Sequence, residues 1–147
     1  MSRAVAMLAR REHSRAELAR KLAPYLEPEQ ERAELDRVLD ELERRQLLSD
    51  ERYAGALVRT RSARYGDARL KQELKASGVG AAEVASAIES LHGTELERAR
   101  AVWRRRYSEL PTDREDRARQ ARFLQARGFS LDTIRRVLGG YVGDDDQ

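Results

Sequence analysis

The chain of 147 residues carries 29 basic and 26 acidic side chains, a net charge of +3, and 26 of the basic residues are Arg. It has no Cys, which excludes a disulfide framework, a thiolate metal site and a catalytic thiol. Of its 59 apolar residues 21 are Ala, so its cores are thin, and the early apolar run over 4–9 falls far short of the ~20 residues a membrane span needs. These features describe a charged, helical, cytoplasmic protein and permit a polyanionic partner.

Apolar residues recur at helical spacing, as at Leu18, Leu22 and Leu26 or at Leu35, Val38, Leu39 and Leu42, and no strand-like alternation competes. A first helix is predicted over 2–12. Ser14, three residues before Glu17, has the form of a capping box and opens a helix over 14–23. Pro28 suits the first turn of a helix over 28–46, and Ser49 or Asp50 opens one over 50–63. Gly66 and Asp67 begin a helix over 67–77 that Gly78 stops, and a further helix covers 81–92. Thr94 with Glu97 and Thr112 with Glu115 repeat the capping pattern for helices over 94–107 and 113–127. Gly128 ends the last of these, and Ser130 starts a helix over 130–139. The predicted fold class is all-α with about nine helices.

These helices repeat in threes. Leu74, Gly78, Val79, Val84, Ala87 and Ile88 match Leu124, Gly128, Phe129, Ile134, Val137 and Leu138 at a constant spacing of 50. Leu18 and Leu22 precede Leu70 and Leu74 by 52, and Leu35 to Leu42 precede Val84 to Leu91 by 49. The first repeat is thus the least regular, with Pro24, Tyr25 and Pro28 where the others have a Gly turn. The expected organisation is a three-helix repeat over 1–48, a second over 49–93, a third over 94–141, and an acidic frayed tail over 142–147. A repeat of about 45 residues is marginal alone, so the repeats should lean on one another in an elongated, curved body. A single compact nine-helix bundle is the alternative.

Signatures of catalysis are missing. No Gly-rich phosphate loop ends in Lys and Ser or Thr, and Gly139, Gly140 and Gly143 follow no strand. His13 and His92 stand at helix ends without a partner at metal-ligand spacing, so capping or solvation accounts for them. Carboxylates alternate with Arg as on solvated helix faces. No cofactor, metal or catalytic residue is expected.

Binding signals are stronger. Arg10, Arg11 and Arg15, then Arg52, Arg59, Arg61, Arg64 and Arg69, then Arg104, Arg105, Arg106 and Arg122, give each repeat a basic cluster. The excess is concentrated in residues 94–141, with twelve Arg against seven acidic residues, whereas residues 1–48 balance at ten and ten. Tyr53, Tyr65, Trp103 and Tyr107 interleave with these clusters and read either as stacking platforms for bases or as core. Tyr53 and Trp103, one repeat apart, favour the core reading, with Arg stems lying over it.

Several motifs in order resemble the RecX family, and the likeness covers nearly the whole chain. Residues Ala9 to Leu22 are similar to the family's opening repeat. Ser49-Asp50-Glu51-Arg52-Tyr53-Ala54, then Arg59, Arg61, Tyr65-Gly66 and Gln72-Glu73-Leu74, resemble its central block. Phe123-Leu124, Arg127-Gly128-Phe129-Ser130 and Ile134 to Leu138 resemble its last repeat. Pro24 and Tyr25 depart from the Lys-Gly turn often found in the first. The resemblance implies a non-enzymatic protein that binds RecA and its filament on single-stranded DNA and restrains ATP hydrolysis, strand exchange and coprotease activity. It thereby implies a part in recombination, DNA repair and the SOS response. With no long heptad or large exposed apolar run, a monomer is expected. The alternative is a stand-alone DNA-binding protein of helix-turn-helix type, against which the absence of an Asn or Gln set for base edges counts.

Overall fold

A computed structural model of the chain describes residues 1–27, 29 and 32–139. Among the described residues there are nine α-helices and no strand. They are α1 Ser2–Arg10, α2 Arg15–Leu22, α3 Arg32–Arg44, α4 Asp50–Arg61, α5 Asp67–Ala76, α6 Ala81–Glu89, α7 Glu95–Arg106, α8 Arg114–Ala126 and α9 Leu131–Leu138, with a 3-10 turn at Ala23–Tyr25 after α2. The all-α expectation holds. The helix start at Pro28 and the acidic tail over 142–147 lie outside the described residues, as do Gly140 and Gly143.

Two compact units emerge, Met1–Ala56 with Leu74–Ala87, and Leu57–Glu73 with Ile88–Gln147. Each takes part of the middle repeat, because α4, α5 and α6 contribute residues to both.

In the first unit the helical spacing of Leu18, Leu22, Leu35, Leu39 and Leu42 puts them on facing stripes, which close with Ala4 and Leu48 into a buried core. Ser14, fully buried, accepts from the Glu17 N–H at 3.0 Å and donates to the Ser77 carbonyl at 2.6 Å, so one hydroxyl caps α2 and binds the end of α5. Tyr53 is buried with its hydroxyl 2.9 Å from Ser77 Oγ. At Gly78 the backbone is left-handed (φ +83°), and a Cβ there would collide with that of Ala16.

In the second unit Ala99, Val102, Leu124, Phe129, Ile134, Val137 and Leu138 form the core of α7, α8 and α9. The stop of α8 reproduces that of α5 at the spacing of 50. Val79 N–H bonds the Leu74 carbonyl and Phe129 N–H that of Leu124, while Gly78 and Gly128 N–H each bond the carbonyl three residues back at 2.9 Å. Gly128 (φ +92°) also lets the chain around Gly66 approach. The Gly66 N–H donates to the Arg127 carbonyl at 2.8 Å, and a Cβ on Gly66 would lie 2.6 Å from Phe129 N.

Three local expectations are corrected. Asp113, not Thr112, caps α8 by accepting from the Asp116 N–H at 2.8 Å, the nearer carboxylate displacing the hydroxyl. Thr94 makes no capping bond, because its hydroxyl accepts from Arg98 Nε at 3.0 Å. Of the two roles expected for His13, solvation fails and capping stands: it is 2% exposed, with Nδ1 3.1 Å from the carbonyl of Arg11, which ends α1, and Nε2 3.2 Å from Lys21 Nζ. His92 is exposed at φ +53° beyond α6.

Candidate functional site

Arginines of the first unit are largely consumed by the fold. Arg15 on α2 reaches Asp40 and Glu43 on α3, both at 2.8 Å, and Asp36 at 3.8 Å, while its N–H donates to Asp50 at 2.7 Å. Burial opposes its charge, but the Asp40 hydrogen bond and the attraction of Glu43, Asp40 and Asp36 outweigh it and raise its pKa. Arg11 pairs with Glu17, whose hydrogen bond is the main cause of a raised Arg11 pKa. Arg52 holds Glu12 at 2.9 Å. Arg10 is exposed and has no acidic partner among the described residues.

The second unit is arranged differently: four of its arginines lie on rings. Around Tyr65 the guanidinium carbons of Arg69, Arg61 and Arg127 stand 4.5, 4.7 and 5.6 Å from the ring centroid. Arg127 also lies 5.2 Å from the Phe123 ring, and Arg106 lies 5.9 Å from Phe123 and 5.3 Å from Tyr107. Tyr107 meets Phe123 edge-on at 5.6 Å and faces Trp103 at 6.4 Å. The result is a continuous ladder of alternating cations and rings, each ring half-buried.

Buried polar contacts hold the ladder in place. Arg98, with its side chain 11% exposed, donates to the carbonyls of Ser62 at 3.0 Å and Tyr65 at 2.8 Å and pairs with Asp67, fixing the α4–α5 corner that presents Tyr65. Glu95 accepts from the Asp67 N–H at 3.0 Å and the Thr133 hydroxyl at 2.8 Å. Trp103 donates Nε1–H to Gln120 at 2.6 Å, and Gln120, itself buried, donates to the Glu109 carbonyl and to Asp116. Trp103 therefore sits against the core with its polar edge satisfied.

Counter-charge on the ladder is sparse. Glu73 holds Arg61 at 2.8 Å and Arg69 at 3.2 Å. Among the described residues no acidic partner reaches Arg106 or Arg127, and Arg127 donates only weakly, to the Arg64 carbonyl at 3.4 Å. Four guanidiniums against one carboxylate leave a surplus of three positive charges. Arg59, Arg64, Arg104, Arg105 and Arg122 are all exposed, likewise without an acidic partner among the described residues. The sequence reading missed Arg98, Arg127 and Phe123. Phe123 and Arg127 stand one helical turn apart, a spacing that could have revealed the pair.

No group of three His, Asp or Glu that could hold a metal occurs among the described residues, and no helix there is long and apolar enough to cross a membrane. Residues 49–88 match the model of the second three-helix domain of RecX, and residues 94–138 match that of the third. The chain belongs to the RecX family. It is 51% identical over 137 residues to the regulatory protein RecX of Leptothrix cholodnii, covering 92% of this chain and 85% of that one. To the regulatory protein RecX of Ralstonia nicotianae it is 45% identical over 139 residues, covering 95% and 86%. The crystal structure of RecX from Lactobacillus salivarius shares the fold, with a TM-score of 0.77 at 21% identity over 99% of this chain and 93% of that one. The chain is thus a member of a family of regulatory proteins.

Proposed function

We propose that the chain binds RecA, above all in the filament RecA forms on single-stranded DNA, and restrains its ATP hydrolysis, strand exchange and coprotease activity without catalysing a reaction itself. It acts as a cytoplasmic monomer in the control of recombination and the SOS response. The observation that carries this reading is the ladder of Arg61, Arg69, Arg127 and Arg106 on Tyr65, Phe123 and Tyr107, with Glu73 as its one counter-charge among the described residues. A guanidinium resting on a ring has already lost much of its rotamer freedom, so it gives up less entropy when it meets an anion. At Arg106 and Arg127, which no acidic residue holds among the described residues, the N–H edge is left to fork onto a phosphate or carboxylate. The exposed Arg64, Arg104, Arg105 and Arg122 add charge to the same unit. Contacts repeated along a filament would then gain affinity through effective concentration.

The alternative, a stand-alone DNA-binding protein of helix-turn-helix type, is disfavoured by the absence of an Asn or Gln set for base edges on the Arg-rich helices.

The test is RecA's DNA-dependent ATP hydrolysis at substoichiometric ratios of this protein, with single-stranded DNA binding by the protein alone measured at the same salt. The protein should inhibit where it does not bind free DNA, and Arg106→Glu with Arg127→Glu should raise the half-inhibitory concentration by about tenfold or more. Unchanged potency in that double variant would remove the ladder from the interface. Inhibition that tracks DNA coverage would replace the reading with general nucleic-acid binding.

A further inference from the structure

The first unit has a feature that the arginine ladder does not use. Where α5 and α8 end in a Gly turn, α2 runs into the 3-10 turn Ala23–Tyr25 with Pro24 inside it. This turn forms one side of an open basin of about 610 Å3. Met7, Pro24 and Tyr25 make the apolar part, and Tyr25 is 55% exposed, with the Arg3 guanidinium 3.8 Å from its ring centroid. Arg10, Arg11 and Lys21 make the cationic part.

The charge is only partly used. Glu17 holds Arg11 and lies 3.6 Å from Lys21, and Arg10 has no acidic partner among the described residues, so three cations face one carboxylate. His13 at the base does not add an acceptor to the opening: it is 2% exposed and turns Nδ1 to the Arg11 carbonyl and Nε2 to Lys21. A nucleic-acid strand would need cations repeated along a track, whereas here they cluster beside an apolar patch. That pairing of chemistries matches a peptide with an apolar residue next to acidic ones.

We propose that this basin is a docking site for an acidic peptide segment of a protein partner. An apolar side chain of the peptide rests on Met7, Pro24 and Tyr25, and its flanking carboxylates pair with Arg10 and Lys21. The site goes beyond the reading of the ladder and does not depend on it.

The experiment titrates the full chain into a fluorescein-labelled probe peptide in which Leu-Phe is flanked by acidic residues, read by anisotropy. A second probe of the same charge carries Gly-Ser in place of Leu-Phe, and an oligothymidylate serves as competitor. Binding of the Leu-Phe probe should weaken about tenfold in Tyr25→Ala and in Arg10→Glu, two exposed positions whose changes leave the fold intact by circular dichroism. It should be unchanged in Arg127→Glu, and the Gly-Ser probe should bind far more weakly. Equal affinity for the two probes would overturn the proposal. So would a loss seen in Arg127→Glu but not in the basin variants, or displacement of the probe by oligothymidylate whose own binding fails in the basin variants.

Discussion

Removing the Arg98 side chain tests how the candidate site is held. Its guanidinium bonds the carbonyls of Ser62 and Tyr65 at 3.0 and 2.8 Å, pairs with Asp67, and bonds the Thr94 hydroxyl at 3.0 Å. A hydrogen bond from a charged donor contributes about 1.5–3 kcal/mol. Ser62, Tyr65 and Asp67 are half-buried, so water recovers part of what their oxygens lose in Arg98→Ala. The expected net loss is therefore about 3 kcal/mol, well below the sum of the separate bonds, and corresponds to a fall in Tm of about 6–12 °C. Arg98→Lys should recover little, since a single nitrogen on a shorter reach cannot meet four acceptors set around a planar fork. Urea denaturation followed by circular dichroism and by the single Trp measures the loss. A change below about 1 kcal/mol would refute the account of the corner. At temperatures where Arg98→Ala remains folded, the proposed inhibition of RecA should also weaken, because Tyr65 and the cations on it lose their fixed placement. Full potency in a protein with a loosened corner would show that the ladder does not need it.

Two further expectations rest on the backbone and on a buried base. Gly128→Ala should cost about 2–4 kcal/mol, since φ is +92° and the new Cβ would lie 2.7 Å from Arg69 N, while Gly93→Ala, at φ +69° with open space around it, should cost only about 1 kcal/mol; equal losses in chemical denaturation would show that the close packing at Gly128 contributes nothing. Burial pushes the His13 pKa below its ordinary value of 6.5, so the unfolded chain takes up the proton first as pH falls. The stability due to neutral His13 is then complete above about pH 6.5 and declines as pH drops through the folded pKa. Glu17, whose pKa burial raises but the Arg11 bond and charge lower further, adds a second decline only below about pH 4.5. Denaturation midpoints measured down the pH scale should fall in the first window, and His13→Gln should flatten that window alone; a midpoint indifferent to pH there would sink the argument.

What could be read from the sequence divides along physical lines. Helix positions were legible because the Leu stripes at Leu18 and Leu22 or Leu35 to Leu42 obey a local period, and the stops at Gly78 and Gly128 because only a residue without Cβ suits those turns. The caps were less certain where two candidates overlap. Thr112 precedes Glu115 by three and Asp113 precedes Asp116 by three, and nothing local tells them apart. Whether an arginine is free was not legible at all. Arg15 is neutralised by carboxylates 21 to 28 residues away and Arg52 by one 40 residues away, pairings that exist only once α1, α2, α3 and α4 have packed. Arg98 was missed for the same reason, since its acceptors are main-chain carbonyls about 33 to 36 residues earlier that any sequence would offer.

The contrast between the two units explains why the charge of the chain is a poor guide to its candidate binding surface. An arginine can be ordered by a carboxylate or by a ring. The first way consumes its charge, as at Arg15, Arg11 and Arg52; the second leaves the charge intact, as at Arg106 and Arg127. Residues 1–48, with ten bases and ten acids, can pay the first kind of cost nearly everywhere, and most of the site residues expected there are bound up in the fold. Residues 94–141 have five acids too few for that, and the same region supplies Trp103, Tyr107 and Phe123. The aromatic residues there thus do more than fill a core: they order cations that carboxylates would have silenced. Lysine could not replace those arginines, because an ammonium lacks the flat face that lies on Tyr65 or Phe123 while its edge still points outward. Arg106→Lys and Arg127→Lys would keep the net charge of +3 and lose the ordered ladder, which separates pre-organised charge from charge alone.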